Sequence, residues 1–173
     1  MRLNHRKTVL RAGALMLALI AMLSFTASYA ASFTKSGAGI KYGGKTFKLG
    51  DTTTPQKLKK TFGNWTSRLV DDGCTCGFAT YLYTFKSKGV VIETLQKEQG
   101  GTEKIITITV TSSKVPTTNG LKVGNKTSTL AAKYGTKCKK SGSTVLYTSG
   151  KYHMYVFTKS KKITKIQFWM PIK

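Results

Sequence analysis

Alternating apolar and polar positions predict two groups of β-strands beyond residue 80. Tyr81, Tyr83 and Phe85 alternate with Leu82 and Thr84, and this period of two is typical of a strand. Further apolar runs, rich in β-branched and aromatic residues, lie at residues 90–92, 105–110, 145–148, 152–158 and 162–170. Short turns rich in Gly, Ser and Lys separate them. We therefore expect two antiparallel meanders of three strands each.

A different spacing predicts a short helix before the first meander. Thr54 and Pro55 suit the cap and first turn of a helix, because proline lacks the N–H that the first turn leaves unpaired. Leu58 and Phe62 are four residues apart and so fall on one helix face. Gly63 suits a left-handed C-terminal cap. A helix this short needs a sheet beneath it to be stable.

Residues 47–63 have a near copy at residues 120–135. Both segments begin with an apolar, Lys, apolar, Gly step, pass through a Thr-rich turn and end on an aromatic residue followed by glycine. The matched positions are Leu49 with Val123, Gly50 with Gly124, Leu58 with Leu130, Phe62 with Tyr134 and Gly63 with Gly135. Internal repetition indicates a duplicated architecture. A second helix is therefore expected around residues 127–134.

These elements predict an α+β fold of two tandem repeats, each a short helix followed by a three-stranded antiparallel meander. The repeats are expected at residues 45–115 and 116–173, after a flexible leader rich in Ser, Gly and Lys at residues 31–44. Joining the meanders edge to edge would give one sheet of about six strands, with both helices on one face. The predicted core comprises the two helical apolar pairs together with Ile106, Ile108, Val110, Ile166, Phe168 and Met170.

The first 30 residues have the pattern of a secretory signal peptide. Four basic residues within the first 11 positions precede an apolar run at residues 12–25, and small residues follow near Ala30, where we expect cleavage. A retained membrane anchor is the alternative, but the run is shorter than the roughly 20 apolar residues that span a bilayer. We expect no transmembrane segment after cleavage, and an extracellular or cell-surface location.

The chain is strongly basic, with 29 Lys and Arg against 6 Asp and Glu. Four of the basic residues belong to the predicted signal peptide, which leaves 25 against 6, a net charge of +19. All but Arg68 are lysines, which offer hydrated point charges rather than the planar fork that reads phosphates or bases specifically. We expect diffuse attraction to an anionic cell-wall polymer or an acidic protein surface, and no specific nucleic acid recognition. A surface charged only for solubility is the alternative.

Cys74, Cys76 and Cys138 give an odd number of thiols in a chain predicted to be exported. One disulfide with a spare thiol, or three reduced thiols, are both compatible with this number. A bridge from Cys74 or Cys76 to Cys138 would close a loop of about 60 residues and would contribute about 4 kcal/mol to stability. A tetrahedral zinc site needs four ligands, whereas His153 is the single histidine after residue 30. We therefore predict no metal and no cofactor.

No arrangement of residues points to catalysis. The acids after residue 30 are Asp51, Asp71, Asp72, Glu93, Glu98 and Glu103. The adjacent pair among them suits a turn before Gly73 better than paired acid catalysis, which needs two acids held at a set separation. A thiol nucleophile would have to use one of the cysteines with His153, and no local motif supports that pair. The sequence predicts a protein that is not an enzyme, and a thiol-dependent enzyme is the weaker alternative.

Aromatic residues and lysines interleave along the last two predicted strands. Their combined aromatic area is larger than two short helices can cover, although many aromatic side chains of a fold are buried in its core. A face of this composition suits an acidic protein or a polyanionic polymer. The candidate binding residues are Tyr152, Tyr155, Phe157, Lys159, Lys161, Lys162, Lys165 and Trp169.

The GLKVG step, the short helix ending in Tyr-Gly and the tyrosine-rich meander after it carry a family resemblance. Together they resemble the tandem helix-plus-sheet units of exported Gram-positive bacterial proteins that look like the β-lactamase inhibitor protein family. The resemblance covers about residues 47–170. It implies a concave sheet face, opposite the helices, that grips a partner protein. No inhibitory contact residue of that family matches this chain, so inhibition of a β-lactamase is not among our predictions.

The sequence therefore predicts an exported binding module without enzymatic activity. It would associate with an anionic macromolecule or a protein partner at the cell surface or outside the cell. The alternative within the binding class is a specific protein inhibitor or adhesin that uses the sheet face, with charge only steering the encounter.

Overall fold

A computed structural model describes residues 32–71, 79–97 and 102–172 of the chain. The predicted signal peptide, residues 1–30, lies outside them. The strands are β1 (Gly39–Tyr42), β2 (Lys45–Lys48), β3 (Thr52–Thr53), β4 (Ser67–Asp71), β5 (Ala79–Phe85), β6 (Val90–Gln96), β7 (Glu103–Val110), β8 (Lys139–Ser141), β9 (Thr144–Ser149), β10 (Tyr152–Lys159) and β11 (Lys162–Trp169). The helices are α1 (Pro55–Phe62) and α2 (Thr129–Tyr134).

Most of the strands form one antiparallel sheet in the order β4-β5-β6-β7-β11-β10-β9-β8. β7 and β11 join its two halves, with Ile166 opposite Val110 and Phe168 opposite Ile108. The short β3 pairs with the start of β7, and β1 and β2 form a separate hairpin. With helices of only eight and six residues, the fold is mixed but mostly β, which corrects the balance that we expected.

The outer strands β4 and β8 are absent from the sequence prediction, which placed connections there. All three residues of β8 are exposed. Its sequence therefore carries no apolar alternation, and only backbone hydrogen bonds to β9 define it as a strand. An edge strand of this kind satisfies the ladder of its neighbour without adding to the core.

Both helices lie on the same face of the sheet. The Phe62 ring of α1 is 5.0 Å from that of Phe85 in β5, and the Tyr134 ring of α2 is 5.6 Å from that of Tyr147 in β9. The strand registers place Phe85 and Tyr147 on one face. The buried residues of that face include Tyr83, Phe85, Val90, Ile92, Ile108, Val110, Tyr147, Met154, Val156, Ile166 and Phe168. The core therefore lies between this face and the helices.

Local chemistry sets the limits of α1 as the sequence predicted. The Thr54 hydroxyl accepts a hydrogen bond from the Lys57 N–H, and Pro55 occupies the first turn. Gly63 ends the helix at φ 87°, a conformation that residues with a Cβ rarely adopt. Within the described ranges, no helix has the length and apolar character needed to cross a membrane.

Residues 32–44 are not a free leader, contrary to our expectation. Phe33, Ala38 and Ile40 are buried, and the Tyr42 ring stacks 5.1 Å from that of Phe62. A backbone bridge joins Ile40 to Thr117 on the other half of the chain. The apolar residues are spaced among Ser, Gly and Lys without a regular period, which is why the pattern predicted a linker. The segment is part of the core.

Matching hydrogen bonds shape the two similar segments and join each of them to the sheet. The Lys48 N–H donates to the Asp51 carboxylate, and the Lys122 N–H donates to the Asn125 side-chain oxygen, both at 2.9 Å. The Gly50 N–H donates to the Ile105 carbonyl at 2.8 Å, and the Gly124 N–H donates to the Ile163 carbonyl at 2.7 Å. Both glycines have a φ near 90°, which explains why glycine stands at each position.

Burial of Tyr134 predicts a loss of stability in alkali. Burial raises the pKa of its hydroxyl to about 12, although the hydrogen bond to Thr117 opposes the rise. A group whose pKa is higher in the folded state stabilises the fold fully below pH 10, and that contribution is lost as pH rises toward 12. Tyr134→Phe should remove about 1 kcal/mol at pH 7, for the lost hydrogen bond, and less at pH 10.5. Urea unfolding at the two pH values measures this, with Tyr155→Phe as control. If Tyr134→Phe lowered the free energy of unfolding equally at both pH values, this prediction would be wrong.

Candidate functional site

Three cross-strand pairs form a ladder on the sheet face opposite the helices. His153 lies opposite Trp169, Tyr155 opposite Gln167, and Phe157 opposite Lys165. These residues alternate with the buried side chains of β10 and β11, so they point away from the core. All six are half-buried rather than covered. We call His153, Tyr155, Phe157, Lys165, Gln167 and Trp169 the aromatic ladder.

Contacts within the aromatic ladder hold its side chains in place. The His153 and Trp169 rings are 5.1 Å apart and tilted by 34°. The Lys165 ammonium lies 3.7 Å from the centre of the Phe157 ring, a cation–π contact. His153 Nδ1 is 3.3 Å from the Thr148 hydroxyl. Side chains already fixed by such contacts lose less conformational freedom when a partner binds.

Thr107 of β7 adds an unpaired hydroxyl beside the aromatic ladder. It lies directly opposite Trp169, and its side-chain oxygen is buried without a hydrogen-bond partner among the described residues. An unpaired buried hydroxyl is unfavourable, and such groups are uncommon in native cores. The surrounding side chains cover this oxygen, so it is a local cost next to Trp169 rather than a contact for a partner.

Tyr152 does not belong to the aromatic ladder, although we predicted it as a binding residue. It is one residue from His153 and therefore points to the opposite face, where it packs half-buried against the core. Lys35 and Lys151 place their ammonium groups about 6 Å from its ring. The other predicted aromatic residues, Tyr155, Phe157 and Trp169, share one face as expected.

The remaining predicted lysines lie at the end of the ladder, around the tight turn that joins β10 to β11. Lys159 pairs with Lys162 across the turn, and a backbone bridge brings Lys126 beside Lys162. All of these side chains, with that of Lys161, are exposed. We call Lys126, Lys159, Lys161 and Lys162 the lysine turn.

Sequence reasoning missed three residues of these surfaces. His153 and Gln167 have the same parity as Tyr155 and Trp169, so the strand period alone could have identified them. Lys126 is 36 positions before Lys162, and no local signal connects the two. A further signal was overlooked: residues 104–173 contain 14 lysines and no Asp or Glu.

Cys138 is a free thiol among the described residues, and a bridge to Cys74 or Cys76 stays one of the two possibilities that the sequence left open. It is half-buried just before β8, and its proximity adds to burial in raising the pKa of Tyr147 to about 12. Cys74 and Cys76, the predicted partners, lie outside the described residues. The strand β4, which ends just before Cys74, lies at one edge of the sheet, and β8, which follows Cys138, lies at the other edge.

Comparison with protein-family models, with curated proteins and with solved structures found no match for this chain. The resemblance to proteins that look like the β-lactamase inhibitor protein family stays a prediction from the sequence.

Proposed function

We propose that this chain is an exported binding module without enzymatic activity, which holds an anionic macromolecular partner at or outside the cell surface. The observation that carries the proposal is the aromatic ladder, which continues into the lysine turn on one pair of strands. Aromatic side chains supply contact area with little loss of conformational freedom, and lysines attract the partner from a distance.

The distribution of charge supports an anionic partner. The lysines of β8 to β11 have no acid in the last 70 residues to neutralise them. Asp51 accepts a backbone N–H, and the buried Glu103 accepts hydrogen bonds from Tyr83 and Thr94. Their carboxylates are therefore committed to the first half of the fold. The second half presents a nearly uniform positive surface, which favours electrostatic capture.

A specific protein inhibitor or adhesin is the alternative, and the ring contacts that hold the aromatic ladder in place favour it. A protein partner could pack against these rings, while the lysines would only steer the encounter. A thiol-dependent enzyme is the least favoured reading, since His153 contacts Trp169 and Thr148 on one face. Tyr147, the neighbour of the Cys138 thiol, points to the other face.

We also propose that the two halves are tandem repeats and that residues 1–30 direct export. The matching hydrogen bonds of Lys48 with Asp51 and of Lys122 with Asn125 support duplication. The basic residues and apolar run before Ala30 support export. In this proposal the sheet face opposite the helices serves as the binding face.

Capture of the exported protein on isolated Gram-positive cell walls tests the proposal. Walls with their anionic polymer intact should retain the protein in low salt. Capture should fall steeply as salt shortens the Debye length from about 10 Å at 0.1 M to about 3 Å at 1 M. Walls stripped of the polymer are the matched control. Capture that ignores both salt and stripping would favour the specific inhibitor or adhesin, and a protein that stays in solution throughout would refute wall retention.

A further inference from the structure

The turn of the β10–β11 hairpin places two residues in a backbone conformation that only glycine adopts readily. Ser160 and Lys161 have φ values of 50° and 59°, and they alone among the described non-glycine residues have positive φ. Two-residue hairpin turns of this kind strongly prefer Asn-Gly or Gly-Gly. In the four other hairpins whose turns the structure describes, glycine takes the positive φ, as at Gly43, Gly89, Gly142 and Gly150. Only this turn places a lysine there.

Neighbouring structure holds the turn in this conformation. The Thr127 N–H donates to the Lys161 carbonyl at 2.9 Å, and the Lys126 bridge to Lys162 lies next to it. Just beyond the turn, the Ile163 N–H donates to the Asn125 carbonyl at 2.9 Å. A sparsely populated backbone conformation that is held from outside often marks a functional position.

The same contacts concentrate positive charge. Lys159, Lys162 and Lys126 lie on adjacent backbone segments, and Lys161 projects from the turn between the first two. The Cβ atoms of cross-strand neighbours are about 5 Å apart, so the four long side chains can bring their ammonium groups to a single ligand. Each lysine contributes three N–H donors and no acceptor. The arrangement therefore offers many donors to an anion and no acceptor to a cation.

We propose that the lysine turn is the site that binds the phosphate groups of a linear cell-wall phosphate polymer. The inference rests on the proposed function and names the ligand chemistry for its charged part. Lysine binds phosphate as a point charge, without the fixed geometry that arginine imposes on a planar carboxylate. Such a site suits a flexible chain of phosphate charges that can slide along it. Phe157 and Lys165 are the pair of the aromatic ladder nearest to the lysine turn, so the two surfaces adjoin.

Three single variants of the exported protein test the assignment. Lys161→Gly removes the charge and relaxes the turn, Ser160→Gly relaxes the turn and keeps the charge, and Lys140→Gln removes an exposed lysine from β8. Both glycine variants should raise the midpoint of thermal unfolding by about 3 °C. Only Lys161→Gly should weaken binding of linear polyphosphate, by about fivefold. It should also reduce the slope of log affinity against log salt by about 0.7.

Parallel titrations with poly-L-glutamate and an oligothymidylate of equal charge identify the ligand class. Weaker binding of poly-L-glutamate, with little effect of Lys161→Gly on it, supports the phosphate site. Equal loss for polyphosphate and poly-L-glutamate would overturn it in favour of charge alone. Preference for the oligothymidylate would overturn it in favour of nucleic acid. Wall capture that is retained by the wild type and unchanged by Lys161→Gly would refute this site while leaving the proposed function intact.

Discussion

Deletion of residues 32–44 should leave the rest of the chain unable to fold. The deletion removes Phe33 and Ile40 from the core, and burial of each such side chain contributes about 1.5–3 kcal/mol. It also removes the stacking of Tyr42 on Phe62 and one strand of the β1–β2 hairpin. Together these losses approach the whole stability of an ordinary domain, about 5–15 kcal/mol. A flexible leader could be deleted without any such effect.

Urea unfolding, followed by far-ultraviolet circular dichroism, compares residues 31–173 with the chain that lacks residues 32–44. Ile40→Ala is a milder change in the same segment, and it should lower the free energy of unfolding by about 3 kcal/mol. Lys41→Ala, at an exposed position of the same segment, is the control and should change stability by less than about 0.5 kcal/mol. A shortened chain with the same urea midpoint as the complete one would restore the leader interpretation.

The strands of the two meanders were predictable because burial on one face forces a period of two. Tyr83, Ile108 and Phe168 each occupy the expected face, and each is buried. The caps of α1 were predictable for a similar reason, since Thr54 and Gly63 act through the backbone of the helix itself. In these elements the physical cause lies within a few residues of its effect.

Other parts of the fold have causes that are distant in sequence. Phe33 packs against Tyr134 and Phe168, which are 101 and 135 positions later, and its own neighbours in sequence are Ser, Thr and Lys. The strand β8 exists because β9 presents an unpaired edge, and nothing in the exposed Lys139–Ser141 itself requires it. Local pattern reasoning cannot detect either, because the stabilising partner is supplied by the tertiary structure.

The candidate site divides along the same line. The shared face of Tyr155, Phe157 and Trp169 follows from strand parity, and the exclusion of Tyr152 follows from the same rule once β10 is placed in register. The arrival of Lys126 at the β10–β11 turn depends on how the second glycine segment docks onto β11. The strained backbone of Lys161 is likewise a property of the assembled turn.

Trp169→Ala should weaken binding of the partner by at least 30-fold, which corresponds to about 2 kcal/mol. Trp169 is the largest ring of the aromatic ladder and joins β10 to β7, because it lies opposite both His153 and Thr107. Its removal takes away contact area and leaves the His153 ring without its neighbour. The side chain is half-buried on the face away from the core, so the free energy of unfolding should fall by only about 1 kcal/mol. Wall capture in low salt and urea unfolding measure the two effects.

Leu82→Ala is the matched control, because Leu82 is half-buried on the same sheet face but lies on β5. Three inter-strand steps, about 14 Å, separate it from Trp169. Equal losses for the two variants would mean that the partner covers the whole face rather than the aromatic ladder. If neither Trp169→Ala nor Tyr155→Ala weakened binding, the sheet face would not be the binding surface.

The salt dependence separates the aromatic contribution from the charged one. Trp169→Ala should lower affinity at every salt concentration without changing the slope of log affinity against log salt, whereas Lys161→Gly should change that slope. Salt does not screen the short-range aromatic contacts, whereas it does screen the long-range attraction of the lysines. The two variants therefore report on physically different parts of one surface.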